Sequence, residues 1–232
     1  MRNIKLPNDA IPYLVYQKTQ YLKFADPEVL PKLKAQYGGE YYPHFVEYVS
    51  KNHRTAIEAV NTADTIAVFK EMEEHLPKTC KGILDIGCGI AGLDIVLSNH
   101  YKHKPIIHLM DRTATANKIV YGFTNNPSFY NSLEIAKELL CLNGVPLNHI
   151  NVLEIPAPFP ETVDLIVSTY AWCFHFPVDV YLASAYACLS NEGRLILTVR
   201  IGTEGIAQLK TVFKTVHVIA THEKDQMVLC IK

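Results

Sequence analysis

The run Ile83-Leu84-Asp85-Ile86-Gly87-Cys88-Gly89-Ile90-Ala91-Gly92 holds the residues best placed to bind a ligand. A short apolar stretch, a carboxylate and three glycines in G-x-G-x-x-G spacing describe a buried strand turning sharply into a helix. Gly87 and Gly89 can take backbone angles closed to other residues, and they let a ligand approach the main chain. Gly92 lets the following helix pack tightly. Nucleotides, dinucleotides and adenosyl compounds all use such a turn, so the flanking residues must discriminate. A second concentration of chemistry is Ser168-Thr169-Tyr170-Ala171-Trp172-Cys173-Phe174-His175-Phe176-Pro177, with the single tryptophan and a histidine in aromatic company. Histidine titrates near neutral pH and suits proton removal, which makes His175 a candidate base and Tyr170 a candidate for orienting an acceptor. The alternatives are a histidine that caps the next helix and a tyrosine that only packs. His44 and His53 are further candidates. No His/Cys/Asp/Glu cluster has metal-ligand spacing, so no metal is expected.

These residues need a frame, and two regions differ in character. Residues 1–75 read as helices without a strand. Asp26-Pro27-Glu28 predicts a helix start with Asp26 as N-cap, Gly38-Gly39 its stop, and Tyr42-Pro43 the next start. A longer helix is expected over Thr62–His75, with Ile66, Phe69 and Met72 on one face. Seven of the thirteen tyrosines precede residue 50, either packing small helices or lining a lid over an acceptor pocket. From residue 82 onward the pattern alternates strand and helix, which predicts a parallel α/β sheet with right-handed crossovers. Strands are expected over 82–86, 105–110, 150–155, 163–167 and 194–199, with helices over 91–99, 130–142 and 178–189. Val212–Ala220 and Met227–Ile231 close through a polar turn as an antiparallel hairpin. The expected architecture is therefore an α/β, Rossmann-like, seven-stranded, mostly parallel sheet ending in that hairpin, with a helical lid over residues 1–75 and a ligand-binding domain over 76–232.

Composition narrows the function classes. Of 232 residues, 49% are hydrophobic and 19% charged, as in an ordinary globular chain. Twenty-two basic and 23 acidic residues leave a net charge of −1, which offers no electrostatic footprint for nucleic acid or an anionic membrane. The six cysteines are scattered mostly in apolar runs, as reduced core thiols are. With neither a secretory signal nor a membrane-length apolar stretch in view, a soluble, cytoplasmic protein is expected.

Asp85-Ile86-Gly87-Cys88-Gly89 resembles motif I of the class I S-adenosylmethionine-dependent methyltransferases, whose sheet ends in the same hairpin. The resemblance spans about residues 82–232 and includes Asp111 and Val163-Asp164-Leu165-Ile166-Val167. It implies S-adenosylmethionine as cofactor, with Asp111 accepting from both ribose hydroxyls; a carboxylate offers the two acceptors a vicinal diol needs. It also implies that Asp85 shapes the turn and lies near the amino-acid part or sulfonium, unless Asp85 instead caps the turn through backbone amides. Gly87, Cys88 and Gly89 would line the cofactor, Glu154 would meet the adenine amino group, and Ser168 is a further cofactor-binding candidate. Arg112 would lie over the adenine or reach solvent. The segment Thr113–Asn131 is a long insertion beside the adenosine side, and loops of that length are more often functional than idle.

Three readings follow. The first is a methyltransferase acting on a small-molecule acceptor, at oxygen, with His175 as base. The second is an NAD(P)-dependent oxidoreductase, which shares the glycine turn and an acid after the second strand. Asp85 opposes it, because a carboxylate there faces the place where such folds bind pyrophosphate. The third is a non-catalytic adenosyl-cofactor-binding module. Nucleic-acid methylation is disfavoured by the neutral charge, and no Asn/Asp-Pro-Pro-Tyr motif stands where Ser168-Thr169-Tyr170-Ala171 does. Acceptor identity, regiochemistry and a homodimer are left open.

Overall fold

The computed structural model describes residues 4–115 and 130–232. Four helices come first: α1 (Ala10–Gln17), α2 (Val29–Tyr37), α3 (Tyr41–Asn52) and α4 (Arg54–Met72). The sheet follows as β1 (Gly82–Ile86), β2 (Ile106–Asp111), β5 (Ile150–Glu154), β6 (Val163–Ser168), β7 (Leu189–Arg200), β8 (Thr215–Thr221) and β9 (Asp225–Ile231). Between them run α5 (Gly92–His100), α6 (Leu133–Leu142), α7 (Asp179–Cys188) and α8 (Gly205–Lys210). The strand order is β5-β2-β1-β6-β7-β9-β8. The first five pair in parallel, while β9 is antiparallel to both β7 and β8. The expected seven-stranded sheet with its terminal hairpin is the one observed.

Alternation on the strands divides the core into two layers. Ile83, Leu109, Val167 and Ile196 face the side covered by α1 and α3–α6. Leu84, Ile86, Ile166 and Leu197 face the side covered by α7 and by Leu209 of α8. Asp85 belongs to the first face by alternation with Ile83, so its carboxyl points toward α5. The order reverses between β1 and β6, which flank the same turn, and open α/β sheets bind ligands at that switch point.

Several boundaries differ from expectation. Asp26 does not cap α2: the helix starts at Val29, and the Asp26 carboxylate accepts the Tyr48 hydroxyl at 2.8 Å instead. α4 begins at Arg54 rather than Thr62, because its buried face runs through Asn61, Thr62 and Thr65 and so lacks an apolar stripe there. Asn191-Glu192-Gly193 does not follow a helix end directly. These residues form a bulge inside β7, where Val163 pairs with Leu189 but Leu165 with Arg194, and Glu192 has φ +64°. α8 was not foreseen, and it moves the start of β8 from Val212 to Thr215. The ends of the insertion form a two-stranded ladder, β3 (Ala114–Thr115) with β4 (Tyr130–Asn131). The rest of it, including Asn117, Lys118 and Tyr121, lies outside the described residues.

Candidate functional site

The glycine turn is built by backbone geometry that its residue types permit. Gly87 and Gly89 have φ of +78° and +54°, and Ala91 has φ +63°. The third left-handed position therefore falls on a fully buried alanine, not on Gly92, which opens α5. The amides of Gly87 and Cys88 both donate to Met110 O, at 2.7 and 3.4 Å. A Cβ on Gly87 would lie 2.3 Å from Ala171 Cβ, and one on Gly89 would lie 3.1 Å from Gln17 Oε1. One on Gly92 would lie 3.5 Å from Thr65 Oγ1 and 3.9 Å from Asn61 Nδ2. The turn is thus held between the 168–177 loop and a roof of α1 and α4.

Three carboxyls converge on it: Asp85 is 3% exposed, Asp94 0% and Asp111 7%. Asp111 Oδ2 accepts the Gly89 amide at 2.9 Å, and Oδ1 accepts the Arg112 amide at 2.7 Å. The turn's carboxylate cap is therefore Asp111. Burial pushes Asp111 up to about 6, against the lowering effect of those two amides and the nearby Asn131 amide. Asp85 Oδ1 and both oxygens of Asp94 have no hydrogen-bond partner among the described residues. Burial holds Asp85 well above the usual carboxylate range, and the charges of Asp94 and then Asp111 push it higher. Burial raises Asp94 to about 7, against the lowering effect of the neighbouring Asp85 carboxyl and of its own backbone amide. Cys88 stays a neutral thiol, raised by burial and by Asp111, Asp85 and Asp94.

The remaining candidates divide into engaged and open groups. Glu154 pairs in register with Asp111, is exposed, and accepts the Thr113 amide at 2.7 Å. Arg112 is exposed and acts electrostatically on Tyr181 of α7. Ser168 is fully buried; its hydroxyl donates to Ile86 O at 2.7 Å and accepts the Trp172 amide at 3.1 Å. That hydroxyl ties β1 to the following loop. Trp172 is core, with Nε1 donating to Val178 O at 2.9 Å. Tyr170 is 42% exposed in a left-handed conformation at φ +56°. Its phenol is raised to about 12 by partial burial and by the charges of Asp225, Glu71 and Asp64, so it is a donor at neutral pH. His175 is half-buried, with its ring edge-on to Phe174 at 4.9 Å, and Phe174 is edge-on to Tyr170 at 5.4 Å. Arg200 from β7 stacks over Phe174 at 4.3 Å and donates to its carbonyl at 2.8 Å, which fixes the loop.

Of the N-terminal candidates, His44 stacks on Tyr37 at 3.5 Å, and His53 packs between Phe24 and Tyr48. Tyr21 and Tyr42 are core residues rather than a pocket lining. Gln17, Asn61, Thr65 and Asp94 were not singled out in the sequence. The signal for Asn61 and Thr65 was present as polar residues interrupting a helical stripe that resumes at Phe69 and Met72. Among the described residues no three His, Cys, Asp or Glu side chains are grouped to hold a metal ion, and no helix is long and apolar enough to cross a membrane.

No protein-family profile and no curated protein matches the sequence. Solved structures do match in fold. A Nostoc punctiforme protein assigned as an O-methyltransferase has 16% identity and a TM-score of 0.54, over 97% of this chain and 72% of that one. Precorrin-6y C5,15-methyltransferase from Geobacter metallireducens has 14% identity and a TM-score of 0.51, over 74% and 89%. The 16S rRNA N2 G1207 methyltransferase of T. thermophilus has 14% identity and a TM-score of 0.53, over 72% of this chain and 42% of that one. At these identities the likeness is one of fold.

Proposed function

On a chain with the class I S-adenosylmethionine-dependent methyltransferase fold, we propose that this protein transfers a methyl group from S-adenosylmethionine to an oxygen of a small molecule. The carrying observation is the set of buried carboxyls, Asp85, Asp94 and Asp111, around the glycine turn. A pyrophosphate would be repelled by them, whereas a cofactor bearing a sulfonium and an ammonium is attracted. This disfavours the nicotinamide reading.

The residues fit such a cofactor. Each Asp111 oxygen accepts one amide and retains a second lone pair, so the carboxylate can still receive two ribose hydroxyls. Glu154 stands beside Asp111 in register, where it would take the adenine amino group. Gly87, Cys88 and Gly89 offer a backbone surface to the amino-acid part. When bound, S-adenosylmethionine supplies a carbon already activated for in-line displacement.

The protein's own part is then to hold the acceptor and take its proton. His175 is the base in this reading, and Tyr170 donates a hydrogen bond from a phenol that stays protonated. The residues 1–75 serve as a cover unit over the turn, and residues 76–232 form the catalytic unit. The T. thermophilus enzyme acts on ribosomal RNA, but a net charge of −1 gives this chain no comparable footprint.

Methyl-labelled donor offered with a panel of phenols, sugars and carboxylates, and separately with ribosomal RNA, tests this. Label in a small-molecule ether or ester is expected; label in RNA alone overturns the acceptor class. Donor binding without transfer to any acceptor favours the non-catalytic module. His175→Ala should lower turnover by roughly 10²-fold or more while donor affinity holds. Turnover that survives across pH places the base elsewhere.

A further inference from the structure

Asp94 enters the reading above only as part of the buried acidic set, yet it is a fully buried carboxyl that contacts neither the ribose nor the acceptor in that reading. It is fully buried in the first turn of α5, and neither of its oxygens has a hydrogen-bond partner among the described residues. Asp85 on β1 meets the Asp94 carboxyl side chain to side chain, with an unpartnered Oδ1 of its own. Two carboxylates this close and this dry cannot both stay ionised without a cation. The titratable groups facing the pair are Asp111 at the end of β2 and Cys88 in the turn, and neither supplies positive charge. From α4 come Asn61 and Thr65, over Gly92. Asn61 is 3% exposed with an unpartnered Nδ2, and its Oδ1 accepts from Lys18, whose ammonium is paired with Asp64. Polar atoms on both sides of the turn are therefore held buried and unmatched.

Building on the donor assignment above, we propose that Asp85 and Asp94 share one proton in the free protein and release it when the cationic methyl donor binds. The balance is one donor bound and one proton delivered to solvent. S-adenosylmethionine brings a net charge of +1, and S-adenosylhomocysteine, which has lost the sulfonium charge, brings none. The pair therefore makes the site selective for the charged donor over its neutral product, and Asp94 is a positioning and specificity residue that acts through Asp85. The raised carboxyls reported above agree with this.

Isothermal titration calorimetry of the full chain with each compound, in phosphate and in Tris across about pH 6 to 8, tests it. Donor affinity should rise by up to about tenfold per pH unit, with a binding enthalpy that depends on the buffer. Product affinity should change less than about twofold over the same span, since little proton release accompanies it. Asp94→Asn should flatten the donor's pH slope while both compounds still bind. Because that variant could fold poorly, the comparison of donor with product on the unaltered chain decides by itself. If both bind with the same pH-independent affinity, the shared proton is refuted and the donor assignment stands. If neither binds, both fall together.

Discussion

Asp111 holds the glycine turn with both of its carboxylate oxygens. They accept the Gly89 and Arg112 amides, and in the proposed function their remaining lone pairs receive the ribose diol. Asp111→Ala should accordingly weaken S-adenosylmethionine binding by about 1–3 kcal/mol through lost charge-assisted hydrogen bonds. It should also lower thermal stability, because the buried Gly89 amide loses its acceptor. Calorimetry reads the first effect and a melting scan the second; unchanged affinity would remove Asp111 from the site. The sequence offered Asp111 through its place at the end of an apolar run. It could not show that Asp85 leaves the turn uncapped, since that depends on which face of β1 each side chain takes.

At the scale of the element, the turn between β1 and α5 is strained where its neighbours are closest. Ala91 sits at φ +63° with no exposure. Ala91→Gly should stabilise the chain by roughly 1 kcal/mol, because removing the left-handed penalty outweighs the loss of one methyl's packing. A lowered melting temperature would count against that account. Gly87→Ala should have the opposite sign and be larger. Its Cβ would lie 2.3 Å from Ala171 Cβ at a φ of +78°, so the 168–177 loop would have to move. Both donor binding and turnover should fall, and a circular-dichroism melt should show the destabilisation. The clamp between α4 and the β8–β9 turn belongs to this scale too. His222 Nδ1 lies 2.8 Å from Asp225 and Nε2 3.0 Å from Glu71, which draws the end of the hairpin onto α4.

For the whole molecule, the buried acids set a pH dependence. Asp111 is raised to about 6, and Asp85 and Asp94 are raised as well. A carboxyl with a folded pKa above its unfolded one binds its proton more tightly in the folded chain, so it favours folding at low pH. His222 acts in the same direction: its bonds to Asp225 and Glu71 raise it, so its contribution is present below the unfolded pKa and fades as pH rises through the folded one. The melting temperature of the ligand-free chain should therefore fall from about pH 5 to about pH 8, and Asp94→Asn should shrink the fall. A melting temperature that rises over that span in the unaltered chain would contradict the assigned burial.

Local chemistry was enough to specify the parallel sheet, its closing hairpin, the glycine turn and the acid after β2. Apolar runs of strand length and residues with special backbone freedom announce themselves within a few positions. The buried pairing of Asp85 with Asp94 was decided only in three dimensions, as were the roof of Gln17, Asn61 and Thr65 and the internal duties of Ser168 and Trp172. Each depends on the register of strands or helices distant in sequence. A carboxylate, an amide or a hydroxyl reads the same in the sequence whether it faces water, a ligand or another buried acid.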